Sequence, residues 1–426
     1  MEYIKRNIND IALSKLKQEH VLVLTGARQT GKTTFSEYIL PDRLNLPFTY
    51  ISFDDPDERL RFQSSAIGIL EAIQTPLIIL DEVQKIPSIF DPLKYIIDKQ
   101  KLRNRKEKKY FLLTGSSQLL LMRNIRESLA GRVALLNLYP FSFSELSGTG
   151  GVSLLSKIWQ DRMLTQKDIE RFNALSSEKV RTAVQLRNEH QQWGGYPPVW
   201  QRKEKSDKLN WLKDYKKTYI ERDISDVGQV ANIETFVLTQ KLLCARNAQL
   251  LSVSEVARDV TLAVNTVKRY IHLLTMTFQC NLLQPYYENV GKRFIKSPKI
   301  YFPDVGLNKV ILGELSVHSG ASYESWIFSE IVKWKQLQSI EPDLYFYRTS
   351  GGMEIDFLVA GERTILPVEA KSSDKVSSTD GRNLESFLNG HKRSTQIGLI
   401  VYRGKELIEI RKNIWAVPDW FLFGGV

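Results

Sequence analysis

The run Val21-Leu22-Val23-Leu24-Thr25 leads directly into Gly26-Ala27-Arg28-Gln29-Thr30-Gly31-Lys32-Thr33-Thr34, and this junction constrains the fold more than any other stretch of the chain. A short apolar run reads as a buried strand, and the residues after Gly31 read as the opening of a helix. Between them stands the full spacing GxxxxGK[ST]. There the glycines let backbone N–H groups curl around a β-phosphate at a helix N-terminus, where the helix dipole favours an anion. Lys32 neutralises β/γ oxygens, and the Thr33 hydroxyl is placed to ligate Mg²⁺. The junction therefore predicts an α/β protein that binds ATP.

The runs Phe48–Phe53, Leu77–Leu80 and Tyr110–Leu113 also read as buried strands separated by amphipathic stretches, which means a parallel sheet. Leu77–Leu80 ends in Asp81-Glu82. Asp81 is expected to hold Mg²⁺ through water, and Glu82 to polarise the water that attacks the γ-phosphate, a pair that separates a hydrolysing ATPase from a nucleotide binder. The plainer reading is a solvated carboxylate at a strand end. Tyr110–Thr114 runs into Gly115-Ser116-Ser117, which makes Ser116 a γ-phosphate sensor if its strand neighbours the one ending in Asp81. Ser116 serves equally as the N-cap of a helix starting near Gln118. Arg132, closing Ser128-Leu129-Ala130-Gly131-Arg132, is either an arginine finger or a structural salt-bridge partner. As a finger it acts in its own subunit or in a neighbouring one, the latter implying a homo-oligomer.

In this order and spacing GARQTGKTT, LIILDE, FLLTGSS and SLAGR resemble the AAA-like P-loop ATPases of bacteria and archaea that carry a C-terminal domain of unknown function of the DUF4143 type. GGYP (194–197), YIERDI (219–224), NTVKRYIHLL (265–274), KRFIKSPKIYFPDVGL (292–307) and MEIDFLV (353–359) extend the resemblance over nearly the whole chain. It implies ATP binding by a P-loop core, followed by a winged helix and a nuclease-like fold of the PD-(D/E)xK kind. Substrates are mostly unassigned in that family, so the resemblance specifies nucleotide chemistry and no pathway.

The break Ser147-Gly148-Thr149-Gly150-Gly151 ends the first pattern. The expected organisation is a P-loop core over 1–150, a helical lid or linker over 151–225, a winged helix-turn-helix over 226–305, and an α/β restriction-endonuclease-like domain over 306–426. Helical periodicity between Thr235 and Pro285 places Val256, Ala257, Val260, Val267, Ile271 and Leu274 in a small core. Asn265, Thr266, Lys268 and Arg269 then sit near the exposed start of a recognition helix, suited to phosphates and base edges. Lys292, Arg293, Lys296 and Lys299 crowd the next segment without an acid, as a DNA-facing wing would. Winged helices also bind proteins. The basic run Lys101–Lys109 reads best as a solvated loop.

Past residue 300 strands return at Leu344–Tyr347, Glu354–Val359, Thr364–Ala370 and Gly398–Tyr402. Asp356, Glu369 and Lys371 form a D…ExK set, with 369 and 371 on one strand face. Glu324, on a preceding helix, adds a further carboxylate. The arrangement resembles that of archaeal Holliday-junction resolvases and predicts a second Mg²⁺ or Mn²⁺ site at Glu324, Asp356 and Glu369 for phosphodiester cleavage. The alternative is a silent cluster of ion pairs in which Lys371 compensates the carboxylates.

Composition narrows the partners. The 426 residues carry 59 Lys+Arg against 48 Asp+Glu, a net charge of +11, which fits an acidic partner such as DNA or serves solubility alone. Cys244 and Cys280, the only cysteines, make neither a disulfide framework nor a thiolate zinc site. No apolar stretch approaches the ~20 residues needed to span a bilayer, and no secretory leader is evident, so a soluble, cytoplasmic protein without a membrane partner is expected. Three functions follow: an ATPase acting on or regulated by DNA, a metal-dependent DNA endonuclease regulated by ATP, or a non-catalytic ATP-dependent adaptor.

Overall fold

The structure, a computed structural model, describes residues 3–102, 109–115, 118–149, 153–227, 232–287, 296–314 and 319–424. The chain forms two compact units: Ile8–Pro140 with Met276–Phe278, and Met1–Asn7 with Phe141–Thr275 and Gln279–Val426.

The first unit is built on β1 (Val21–Thr25), β2 (Phe48–Ser52), β3 (Leu77–Asp81), β4 (Tyr110–Thr114) and β5 (Ala134–Asn137). They lie in the order β2-β3-β4-β1-β5, all parallel. Strands covered on both faces must be apolar on both, which is why β1 and β3 are continuous apolar runs with every residue buried. Val21, Val23, Ile78, Leu80, Phe111 and Leu113 form one core with Phe62 and Leu70 of α2 (Pro56–Ala72) and Leu93 and Ile97 of α3 (Phe90–Leu102). Leu22, Leu24, Ile79 and Leu112 alternate onto the other face, on which α1 (Asn9–Glu19) buries Ala12 and Leu16. Asp55 caps α2 by accepting from the Asp57 N–H, and Pro56 occupies the first turn, where its missing donor costs nothing. The placement of β4 between β1 and β3 matters most, because it brings the ends of the phosphate loop and of the Asp81 strand to the two sides of one strand. This is the P-loop AAA-type α/β fold.

In the second unit, α4 (Ser177–Trp193) precedes a segment ordered α5 (Ile233–Ala245), β6 (Gln249–Leu250), α6 (Val253–Asp259), α7 (Val264–Met276), β7 (Asn281–Leu283) and β8 (Lys299–Tyr301). The strands make an antiparallel sheet of order β6-β8-β7. Val256, Ala257, Val260, Val267, Ile271 and Leu274 are all buried, as the periodicity predicts. After α8 (Gly320–Lys335) comes a six-stranded mixed sheet of β9 (Asp343–Arg348), β10 (Glu354–Ala360), β11 (Ile365–Lys371), β12 (Gly398–Tyr402), β13 (Ile408–Arg411) and β14 (Ile414–Pro418), ordered β13-β14-β12-β11-β10-β9. Helix α9 (Arg382–Gly390) packs Leu384 and Phe387 on it.

Two sequence motifs lock together in this unit. Asp304 accepts from the N–H groups of Gly195 and Leu307, both at 2.9 Å, and a Cβ at Gly194 would lie 2.2 Å from its carboxylate. The GGYP and FPDVGL stretches are thus one junction. Beside it His190 is held as a neutral ring: the indole N–H of Trp326 donates to Nδ1 at 3.1 Å, so Nδ1 carries no proton, and Nε2 meets the carbonyl of Phe141 at 3.0 Å. Among the described residues no helix is long and apolar enough to cross a membrane.

Candidate active site

At the end of β1 the chain turns through Gly26 (φ 150°), Gln29 (φ 62°) and Gly31 (φ 94°). Gly26 admits no side chain, because a Cβ there would stand 2.3 Å from the carbonyl oxygen of Leu138, whose N–H donates to Thr25 at 2.7 Å. Lys32 is buried within the loop and donates to the carbonyls of Gly26 (3.0 Å) and Ala27 (2.9 Å), while the Thr30 hydroxyl donates to Ala27 at 2.9 Å. Arg28 is half-buried, and Thr33 and Thr34 face outward at the start of the helix. The loop thus holds the Lys32 ammonium against its own carbonyl oxygens.

Asp81 is only 6% exposed yet carries two hydrogen bonds: from the Tyr50 hydroxyl at 2.7 Å and from the Thr114 hydroxyl on the neighbouring strand. Burial first, then the bond to Asp81, pushes the Tyr50 phenol well above its ordinary value, so it stays a donor. Thr114 also accepts from the Glu82 N–H at 3.4 Å. Glu82 adopts a left-handed backbone (φ 54°), and its carboxylate receives the amide N–H of Gln84. The Gln84 side chain lies so close to Gly115 that a Cβ there would meet its Oε1 at 2.5 Å. Sequence reasoning missed Tyr50, Thr114 and Gln84; a hydroxyl ending β4 was the available signal, since a strand next to β3 must place one beside Asp81.

Ser116 lies outside the described residues. Arg132 forks onto Asp98 of α3, with Nε to Oδ1 at 2.7 Å and Nη2 to Oδ2 at 3.0 Å. Within the basic run 101–109, Lys109 donates to the carbonyls of Leu70 and Ile73 at the end of α2, a capping role. On α7, Asn265, Lys268, Arg269 and His272 are exposed and Thr266 half-exposed. Lys296 is exposed, while Lys292 and Arg293 lie outside the described residues.

The C-terminal carboxylates do come together. The antiparallel register pairs Phe357 with Val368, which sets Asp356 level with Glu369, and Asp356 accepts from the Ala370 N–H at 2.9 Å. Glu324 reaches them from α8, but two expectations need correction. Lys299 is not part of an exposed basic wing: it is buried on β8, with Nζ 3.1 Å from Glu324, 2.7 Å from Glu354 and 3.7 Å from Asp356. A second Mg²⁺ or Mn²⁺ site is also unsupported, because that ammonium sits among the carboxylates expected as ligands, and no three acidic, histidine or cysteine side chains among the described residues are grouped to hold a metal ion. Lys371 makes its ion pair outside the cluster, with Asp380 at 3.8 Å, and acts on Glu369 only through its charge, against the burial and the Asp356 charge that raise that carboxyl.

Comparison with known proteins divides the chain in three. Residues 18–147 match the family described as AAA domain, 184–316 a domain of unknown function, DUF8612, and 319–422 the domain of unknown function DUF4143. An uncharacterized protein of Mycobacterium tuberculosis is 28% identical over 412 residues, covering 95% of this chain and 81% of that one. One of Methanocaldococcus jannaschii is 24% identical over 357 residues, covering 82% and 74%. Among solved structures, the ORC2 protein of Aeropyrum pernix in its ADP form is 13% identical, with a TM-score of 0.33, over 74% of this chain and 96% of that one.

Proposed function

Because the chain joins an AAA P-loop ATPase domain to a C-terminal DUF4143 domain, we propose that it is a Mg²⁺-dependent ATPase that hydrolyses ATP and acts on, or is regulated by, DNA through its α5–β8 segment. The observation that carries the hydrolytic reading is the pairing of a buried, doubly hydrogen-bonded Asp81 with a Glu82 restrained by Gln84, with one strand, β4, between them and the strand that leads into the phosphate loop. The backbone from Gly26 to Thr34 and the Lys32 ammonium bind the phosphates. Glu82, on leaving Gln84, accepts the proton of the attacking water. Tyr50 and Thr114 hold the Asp81 carboxylate in place with one hydrogen bond each. These residues fit Mg²⁺: Thr33 and Asp81 would hold it, the latter through water, and when bound it supplies charge neutralisation on the phosphates. Arg132 is the finger candidate, in its own or a neighbouring subunit, and to act as one it would exchange Asp98 for the charge that builds on the transferred phosphoryl group.

For DNA the support is the helix-strand-helix-helix-strand-strand order of a winged helix, together with the exposed Asn265, Lys268 and Arg269 on α7. Lys296, which is exposed, would add a phosphate contact, and Lys292 and Arg293, outside the described residues, remain candidates from the sequence alone. Fluorescence anisotropy with labelled duplex, branched and single-stranded DNA, in ATP and in ADP, tests this reading. Binding that depends on nucleotide and falls in Lys268→Ala/Arg269→Ala is expected; no binding at any salt concentration would favour the adaptor.

A further inference from the structure

We infer that Lys299 is the resident cation of the C-terminal pocket: its ammonium stands in place of a divalent metal among the carboxylates and fastens β8 to β10 and α8. Glu324 comes from α8 and Glu354 and Asp356 from one face of β10, so a single buried charge ties three elements together. Tyr301 shares the Lys299 face of β8, and its hydroxyl donates to Glu324 at 2.6 Å, while its ring stacks on Phe328 of α8 with centroids 4.3 Å apart.

The ammonium is not a surface side chain that has folded inward. Lys299 is paired in register with Leu250 of β6 and Leu283 of β7, and its side chain is 5% exposed. Its Nζ also lies 5.6 Å from the ring centre of Phe346. The chain after β7 is stitched to β9 of the six-stranded sheet, since the Tyr286 N–H donates to the Phe346 carbonyl at 2.6 Å and the Phe346 N–H to the Gln284 carbonyl at 3.1 Å.

The electrostatics agree. Burial alone would lower Lys299, but Glu324, Asp356 and Glu354 outweigh it and raise it, so the residue stays charged. Burial, then Asp356, pushes Glu324 up to about 7 and raises Glu369 well above the usual carboxylate range, while the Lys299 charge acts to lower both. The domain thus uses a nuclease-like carboxylate set as a clamp rather than as a cleavage centre. This inference is independent of the DNA reading and of ATP hydrolysis.

The test is Mn²⁺ binding by nucleotide-free full-length protein, followed by electron paramagnetic resonance. Wild type and Asp356→Asn are expected to give identical titrations. Lys299→Met is expected to gain one Mn²⁺ per chain, which Lys299→Met/Asp356→Asn no longer binds, and Mn²⁺ should raise the melting temperature of Lys299→Met but not of wild type. Mn²⁺ binding by wild type that disappears in Asp356→Asn would overturn the inference, as would a folded Lys299→Met that gains no site. If Lys299→Met does not fold, the comparison of wild type with Asp356→Asn decides alone.

Discussion

Lys32→Ala and Glu82→Gln should separate nucleotide binding from hydrolysis. Lys32 donates to the Gly26 and Ala27 carbonyls inside the phosphate loop, so its ammonium already lies where a β/γ-phosphate would be cradled. A hydrogen bond to a charged group contributes about 1.5–3 kcal/mol, so removing one such bond to a phosphate weakens ATP roughly 10- to 150-fold. Glu82 sits past the strand end with a left-handed backbone, its carboxylate bonded to the Gln84 amide, and as an anion it is not a phosphate ligand. Replacing its carboxylate should leave binding unchanged and slow turnover by roughly 10²–10⁴, the range for a positioned general base. Titration with a fluorescent ATP analogue measures the first effect and phosphate release the second. Parallel loss of binding in both variants, or wild-type turnover in Glu82→Gln, would refute the role given to Glu82.

Thr114→Val, which keeps the shape and removes the donor to Asp81, should reduce hydrolysis while the melting temperature stays near wild type; an unchanged rate would show that Tyr50 alone orients Asp81. Lys268→Ala/Arg269→Ala should flatten the plot of log affinity for DNA against log salt by roughly 1 for each phosphate that is no longer neutralised, and an unchanged slope would move the DNA surface elsewhere. Burial holds His190 well below its ordinary value, with Lys333 adding to the shift, so the stability of the neutral ring is present above about pH 6.5 and is lost as the pH falls toward the depressed folded value. Denaturant unfolding should therefore lose up to about 1.4 kcal/mol per pH unit below that point, a slope that His190→Gln removes and that equal slopes would contradict. Arg187 pairs with Asp419 at 2.7 and 2.9 Å with both side chains buried, so Arg187→Met should lower unfolding stability by about 3–5 kcal/mol, and a loss inside the error of the measurement would refute that pairing.

The strands that carry the chemistry were legible because a strand buried on both faces must be a continuous apolar run. Val21–Thr25, Leu77–Asp81 and Tyr110–Thr114 have no other reading beside a phosphate loop. Glu354–Ala360 and Ile365–Lys371 were equally visible, and their antiparallel pairing delivers Asp356 to Glu369 as expected. Two other strands were not legible: Ala134–Asn137 carries an exposed Leu135, and Ile414–Pro418 ends in a proline, so neither shows a clear period. Lys299 was misjudged because a run of basic residues hides the direction of each. The overlooked signal is local: Lys299 and Tyr301 flank Ile300 at strand spacing, which puts an ammonium and a phenol on one face. Gln84 and Asp98 escaped notice because their partners are set by how elements pack rather than by spacing.

The most direct measurement of the central claim is phosphate release from ATP by the full-length chain, with Mg²⁺, in the presence and absence of duplex, branched and single-stranded DNA, and with Glu82→Gln as the control. Turnover that Glu82→Gln abolishes and that at least one DNA form changes is the predicted result. Turnover indistinguishable from that of Glu82→Gln under every condition would contradict an ATPase, and turnover indifferent to all three DNA forms would contradict its coupling to DNA.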